Sequence, residues 1–346
     1  MWKRLPDPCG KAHSRFQATP RLYRPMNTQL PSISWSSQWR QGWDQFWFTP
    51  MPPHTLALIR IATGAMLFYT HLVWALDMQA FLGSHSWIST KTSQFLQEGN
   101  STWTYLWYIS SPTLLWTTHL IGMAVFAMLS LGIFTRVTSV LAWLITLCYC
   151  HRLEGALFGL DQINALLAMY LAISPAGQAY SIDSWWKKRG RSLAAQDSLA
   201  TIRANISTRL IQLHLCIIYL FGGIGKMRGS EWWDGSASWL ALANPEYQSL
   251  DMTWLASRHL VLSAITHATV LWETSFCLLI WPRLTRPIML LMAVAVHAGI
   301  ALCLGMITFG CIMLIANLAF ISPSATQRCV DRLLRRRAGQ GRLKSS

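Results

Sequence analysis

The sequence predicts an all-α, polytopic integral membrane protein, a helical bundle of about eight transmembrane helices. Three observations carry that expectation. The 346 residues are 52% hydrophobic and only 12% charged, about half the charge of an ordinary soluble chain. Apolar stretches of about twenty residues, the length a helix needs to cross the hydrocarbon core, recur along the chain. The Lys and Arg residues behind the net charge of +15 collect in alternate loops, the pattern of segments that stay on the cytoplasmic side.

Residues 1–35 are Arg-rich, acid-poor and without the apolar core of a secretory signal. They read as a disordered basic cytoplasmic arm, or as sequence ahead of a start at Met26. SQWRQGWDQFWF (37–48) spaces its aromatic residues at helical intervals and reads as a helix lying in the membrane interface. The expected spans are 54–76, 111–134, 137–150, 156–175, 206–225, 259–281, 287–304 and 306–322. The last two nearly touch, which leaves a tight hairpin or one broken helix. The domain boundaries follow as the arm, a transmembrane domain over 36–325, and a basic cytoplasmic tail over 326–346.

With that count, both termini share a side with the loops carrying Arg136, Lys187, Lys188, Arg189, Arg283 and Arg286. The opposite side keeps only Lys91, Arg152, Lys226, Arg228 and Arg258. The expected location is a bacterial inner membrane with both ends cytoplasmic. Basic loops that set topology and meet anionic headgroups account for the charge, so nucleic acid is not an expected partner. Trp103, Trp107, Trp232, Trp233, Trp239 and Trp254 fall where the outer headgroups should be. The eight cysteines form no C-x-x-C pair and no His/Cys spacing for zinc, so no metal is expected.

Polar residues inside spans carry the chemical information, because a charge there is costly unless paired or facing a wet cavity. Arg60, Asp161, Glu273 and His297 are such residues. Arg60 either snorkels to headgroups or pairs. Asp161 starts the fourth span, where headgroup solvation would serve it. Glu273 lies deeper and is protonated or salt-bridged, with Arg60 and Arg286 as candidate partners. His297 and His214 are read as hydrogen-bonded core residues. On the fifth span Gln212, Tyr219 and Lys226 recur every seven residues, one stripe of a helix. A polar stripe ending in an amine is either a cavity whose lysine serves as a base, or an interfacial lysine that snorkels.

Taken in order, WDQFWFTP, LALIRIATGAMLF, LSLGIFTR, AYSIDSWW, YLFGGIGKMRGSEWWDG and HAGIALCLGMITFGCIMLIANLAF resemble the HTTM domain. That domain is the membrane part of vitamin K-dependent gamma-carboxylase and its bacterial relatives. The resemblance runs over roughly residues 36–325. It implies that Lys226, in the pattern Tyr219, Gly223, Lys226, is the base that deprotonates a vitamin K-type quinol such as menaquinol. In the family, oxygenation of that quinol then yields a strong base that takes a proton from a glutamyl side chain ahead of CO2 addition, leaving a quinone epoxide. Tyr219, Gln212 and His297 are the candidate quinol-binding residues, and the resemblance gives Arg60 a structural match. A histidine of the carboxylase's fourth span is replaced here by Leu160 or Asp161, and its large lumenal region has no counterpart in the sequence. A classical protein carboxylase is therefore not expected. Three functions remain open: a quinol-dependent epoxidase or carboxylase acting on a glutamyl, small-molecule or lipid-borne substrate; a non-catalytic quinone- or lipid-binding membrane protein; and a transporter or assembly subunit.

Overall fold

The computed structural model describes residues 34–189 and 200–343, with side chains through residue 335. The chain divides into two compact units, 1–43 and 44–346. Of the first, the described part is the opening of α1 (Trp35–Phe48), where Trp35 and Trp39 are strongly exposed. The expected basic arm lies outside the described residues except for Ser34 and Trp35.

The regular structure of the second unit is helical, apart from one isolated β-bridge between Met51 and Thr201. α2 (His54–Leu76) leads through two short helices, α3 (Met78–Leu82) and α4 (Thr90–Leu96), to α5 (Pro112–Leu131). α6 (Thr135–Arg152), α7 (Gly159–Ile173), the short α8 (Ile182–Arg189) and α9 (Ile202–Lys226) follow. Beyond α9 come α10 (Ser230–Asp234) and α11 (Ala237–Leu242), then α12 (His259–Leu279). α13 (Arg286–Cys303), α14 (Ile307–Asn317) and α15 (Pro323–Leu343) complete the chain.

Every expected apolar stretch is a helix. Among the described residues, α2, α5, α9, α12 and α13 are long and apolar enough to cross a membrane, and α14 with α15 would add a sixth if that bent pair were one span. α7 is short, at 15 residues, and α6 is diluted by Thr, Ser, His and Arg. The outward faces are oily: Leu120 and Ile121 on α5, Leu260 and Leu271 on α12, and Ile288 and Leu291 on α13 are all exposed. A continuous apolar exterior of this extent fits a lipid solvent and not water.

Small residues let these helices touch. A Cβ on Gly64 would sit 2.6 Å from the backbone nitrogen of Ser130, so α2 and α5 meet backbone to backbone, and Ser130 Oγ donates to the Ile61 carbonyl at 2.9 Å. Lipid offers helices little hydrophobic drive to associate, so close packing through small residues takes its place. The main core gathers Leu56, Leu167, Tyr219, Trp272, Phe276 and Ile312 from α2, α7, α9, α12 and α14.

Of the two readings for 287–322, the hairpin holds. The chain turns at Gly305 (φ +68°), and Gly310 of α14 lies directly against the His297 carbonyl of α13. α14 then ends in a turn, Leu318–Phe320, and the chain bends by 115° into α15. The expected basic tail thus begins as a helix set across its predecessor.

The start of α6 is capped from outside. Asp183, on α8, accepts the Phe134 and Thr135 backbone N–H groups at 2.9 and 2.7 Å and the Thr135 hydroxyl at 2.7 Å. Burial by itself would raise the Asp183 carboxyl, but the Thr135 and Phe134 donors together with the charge of Lys187 outweigh it and hold the group below the ordinary carboxylate range.

Candidate functional site

α9 loses its side chains just before its end, in the run Gly222, Gly223, Ile224, Gly225, Lys226. A Cβ on Gly223 would lie 2.6 Å from Thr274 Cγ2 and 3.0 Å from its backbone nitrogen. α9 is therefore pressed against the second half of α12, and it ends there, well short of the α12 N-terminus. Lys226 thus lies beside the second half of α12 and not beside its N-terminal end. The first half of α12 is faced instead by α10 and α11: the Thr266 hydroxyl donates to the Gly235 carbonyl at 3.0 Å and accepts the Ser238 N–H at 3.1 Å.

The contact at Gly223 sets up the ion pair. Lys226 Nζ donates to both carboxylate oxygens of Glu273, at 2.9 and 2.7 Å. The lysine side chain is 28% exposed and the glutamate 11%. The Trp232 ring of α10 lies 5.4 Å from the ammonium, close enough for a cation–π contact. Glu273 therefore pairs with neither of its expected partners. Arg60 is elsewhere, and Arg286 donates to the Ile280 and Trp281 carbonyls at 3.1 and 2.7 Å. Among the described residues Lys226–Glu273 is the one salt bridge.

Two turns back along α9, Tyr219 forms the second part of the site. Its hydroxyl accepts a hydrogen bond from Asn317 Nδ2 of α14 at 2.7 Å and shares another with His297 Nε2 of α13 at 2.7 Å. Its ring packs on Trp272 and Phe276 of α12, with centroids 4.8 and 4.4 Å away. Three helices are tied to α9 through this one residue. His297 Nδ1 and Asn317 Oδ1 are buried and have no partner in the protein, and buried polar atoms left in this state are costly. The helical stripe pointed to Tyr219, and its polarity inside a span pointed to His297, but Asn317 was missed, its only signal being an amide inside an apolar span.

The remaining expected residues lie apart from this site. Gln212, about 21 Å from Lys226 along α9, donates to the Ala319 carbonyl at 2.7 Å and accepts from Arg209 Nη1 at 2.9 Å. It holds α9 to the turn after α14. Arg60 is fully buried and does not snorkel. It donates to the Leu129 and Tyr180 carbonyls at 3.3 and 2.6 Å, closing the C-terminal end of α5, where carbonyls are otherwise unpaired. Asp161 caps its own helix, accepting the Phe158 N–H at 3.0 Å. Among the described residues no three His, Cys, Asp or Glu side chains are grouped to hold a metal.

An oily bundle with several membrane-length helices and a paired charge on its interior faces is a multi-pass membrane protein. The chain belongs to the HTTM domain family, whose model matches residues 48–324. The family is one of gamma-carboxylase-like membrane domains. Among curated proteins the chain is similar to the uncharacterized protein YitO of Bacillus subtilis (strain 168), at 24% identity over 209 residues covering 58% of this chain and 65% of that protein. The match thus spans about two thirds of the length of YitO. No solved structure matches the chain.

Proposed function

We propose that the protein is a vitamin K-dependent gamma-carboxylase-like membrane protein that binds a vitamin K-type quinol, such as menaquinol, with Lys226 as the base. The observation that carries this reading is the bidentate Lys226–Glu273 pair between α9 and α12, two helices of membrane length, since a charge retained in a span is by default functional. The donor set suits a quinol. Lys226 and Glu273 handle a phenolic proton, and His297 Nδ1 is a buried nitrogen without a partner in the protein.

A bound quinol would supply the reducing equivalents. The chain supplies the proton path. In the pair as it stands the lysine holds its proton and is no base. When water is excluded from the site, two full charges become expensive, and the proton on Lys226 Nζ passes to a Glu273 oxygen, leaving a neutral acid and a neutral amine. The amine lone pair then accepts a phenolic proton, and Glu273 holds the first one. α10 and α11, which cover the adjacent half of α12, are the segments that would keep water out. In the same reading all eight helical stretches reside in the membrane, both termini are cytoplasmic, the membrane is a bacterial inner membrane, and the final substrate is a glutamyl, small-molecule or lipid-borne acid.

One observation favours the non-catalytic alternative. Both oxygens of Glu273 are already engaged by Lys226, which is also what a structural pair in a quinone- or lipid-binding protein would show. The test is menaquinol-dependent oxygen uptake by the full chain in vesicles, with mass-spectrometric detection of quinone epoxide. Wild type should form epoxide, and Lys226→Ala should form none while still retaining quinone. Quinone that co-purifies with wild type without any oxygen uptake would favour the binding protein.

A further inference from the structure

We infer that Arg209 and Arg286 form a binding site for an anionic phospholipid, whose phosphate they share where the last turn of α1 meets the link from α12 to α13. Both guanidinium groups rest against Trp281. Arg286 Nη2 donates to its carbonyl at 2.7 Å, and Arg209 Cζ lies 5.8 Å from its ring centroid. Arg209 also stacks on Phe46 of α1, 4.3 Å from that centroid, and its Nε donates to the Phe46 carbonyl at 3.2 Å. The Phe46 and Trp281 rings are 5.6 Å apart, so α1, α9 and the α12–α13 link converge on this cluster.

What the cluster lacks is an anion. The two cations lie near enough to repel one another, yet among the described residues neither takes part in a salt bridge. Asp44, two residues before Phe46, pairs with neither. Each guanidinium spends only part of its donors on the protein: Arg209 Nη1 goes to Gln212 Oε1 at 2.9 Å, and Arg286 Nε to the Ile280 carbonyl at 3.1 Å. Arg209 Nη2 and Arg286 Nη1 have no acceptor among the described residues, and both stay accessible. Two such charges on separate helices call for one acceptor that is negative and carries several oxygens. A phosphate meets guanidinium groups in this way.

The surroundings select a lipid over a free ion. α12 ends at Leu279 and α13 begins at Arg286, and both helices are of membrane length. The cluster therefore sits at helix ends, the level of headgroups, where tryptophans such as Trp281 concentrate. Leu278, Leu279 and Ile288 beside the link are exposed and offer acyl chains an apolar wall. Basic sites between such helices accept anionic lipid heads. Arg209 is about 25 Å from Lys226 along α9, so this site is independent of the proposed quinol chemistry.

Native mass spectrometry of the full chain in detergent, with dioleoyl phosphatidylglycerol or dioleoyl phosphatidylcholine added, counts the bound lipid. Wild type should bind one phosphatidylglycerol about tenfold more tightly than phosphatidylcholine, the size of one charge-assisted hydrogen bond. Arg209→Gln and Arg286→Gln should each lower that preference to about twofold. Arg203→Gln, at an exposed arginine of the same helix that reaches the Ile173 carbonyl instead, should keep it. A phosphatidylglycerol with a photoreactive headgroup reads the same site in wild type, so the result does not depend on the variants folding; the labelled peptides should centre on 44–48 and 279–288. Equal binding of the two lipids, a preference kept by both variants, or labelling confined to other segments would overturn the proposal. Displacement of phosphatidylglycerol by inorganic phosphate would assign the site to a free ion and overturn the lipid.

Discussion

Lys226 stands opposite the second half of α12, where Glu273 takes its ammonium on both carboxylate oxygens, at 2.9 and 2.7 Å. The pair exists because Gly223, one turn before the lysine, lets the two helices touch at Thr274. Removing one partner strands the other. Breaking a fully buried pair costs about 3–5 kcal/mol, and the partial exposure of Lys226 lowers that to about 2 kcal/mol for Glu273→Ala. The double variant Lys226→Met with Glu273→Leu should recover most of the loss, since an apolar pair of similar volume suits this environment. Thermal unfolding in detergent of the single and double variants decides the point. A double variant no more stable than the single would mean that the pair is not the source of the loss.

Gly223→Ala should be the most damaging glycine change at the end of α9. Its new methyl would press on Thr274, separate α9 from α12 and cost about 1–3 kcal/mol. Gly225→Ala meets nothing within 4 Å and should be neutral or slightly stabilising, because alanine is the better helix former. Melting temperatures of the two variants side by side measure the closeness of the helix crossing.

Neither of these relationships could be read along the chain. The eight helical stretches were legible because twenty apolar residues announce themselves in composition. Lys226 was legible as a polar residue ending a stripe with Tyr219. Its partner was not, because the two are 47 positions apart and the depth of each had to be inferred from its own span. That inference put Lys226 at the outer surface and Glu273 inside, as though they could not meet. The run of glycines at 222, 223 and 225 was the available signal, since it marks where another helix comes close. Arg60 misled in the opposite direction: a guanidinium near a helix start suggests headgroups, but backbone carbonyls of distant segments, invisible in sequence, are what it reaches.

Arg60→Lys should be poorly tolerated despite keeping the charge. A single ammonium cannot reproduce the two-armed contact to the Leu129 and Tyr180 carbonyls, and losing a charged hydrogen bond in a buried setting costs about 2 kcal/mol. Gly132→Ala should be worse, because that residue adopts φ +74° and a Cβ there would lie 1.8 Å from Arg60 Nη1. Yield of folded protein and denaturant midpoint for the two variants test the order.

Acid should weaken the cap on α6. The Asp183 carboxyl is held below its ordinary range in the folded protein, so the unfolded chain binds the proton more readily. The stability it adds is therefore fully present above about pH 4, the unfolded value, and is lost as the pH falls through the lower folded value. Asp183→Ala should cost about 1 kcal/mol at neutral pH, a usual figure for a lost N-cap. The same variant should flatten this part of the acid dependence of the melting temperature between wild type and mutant. A constant difference down to strong acid would assign the stabilisation to something other than the carboxylate.

The bend after α14 bears on the membrane as well as on the protein. α14 and its closing turn together rise about 22 Å, against about 30 Å for the hydrocarbon of an ordinary bilayer. The 115° turn into α15 leaves no further residues in line to make up the difference. In a bilayer that α14 spans, lipids along that edge would have to compress to match the shorter element, and the protein should then partition toward thinner bilayers when offered a choice of acyl-chain lengths.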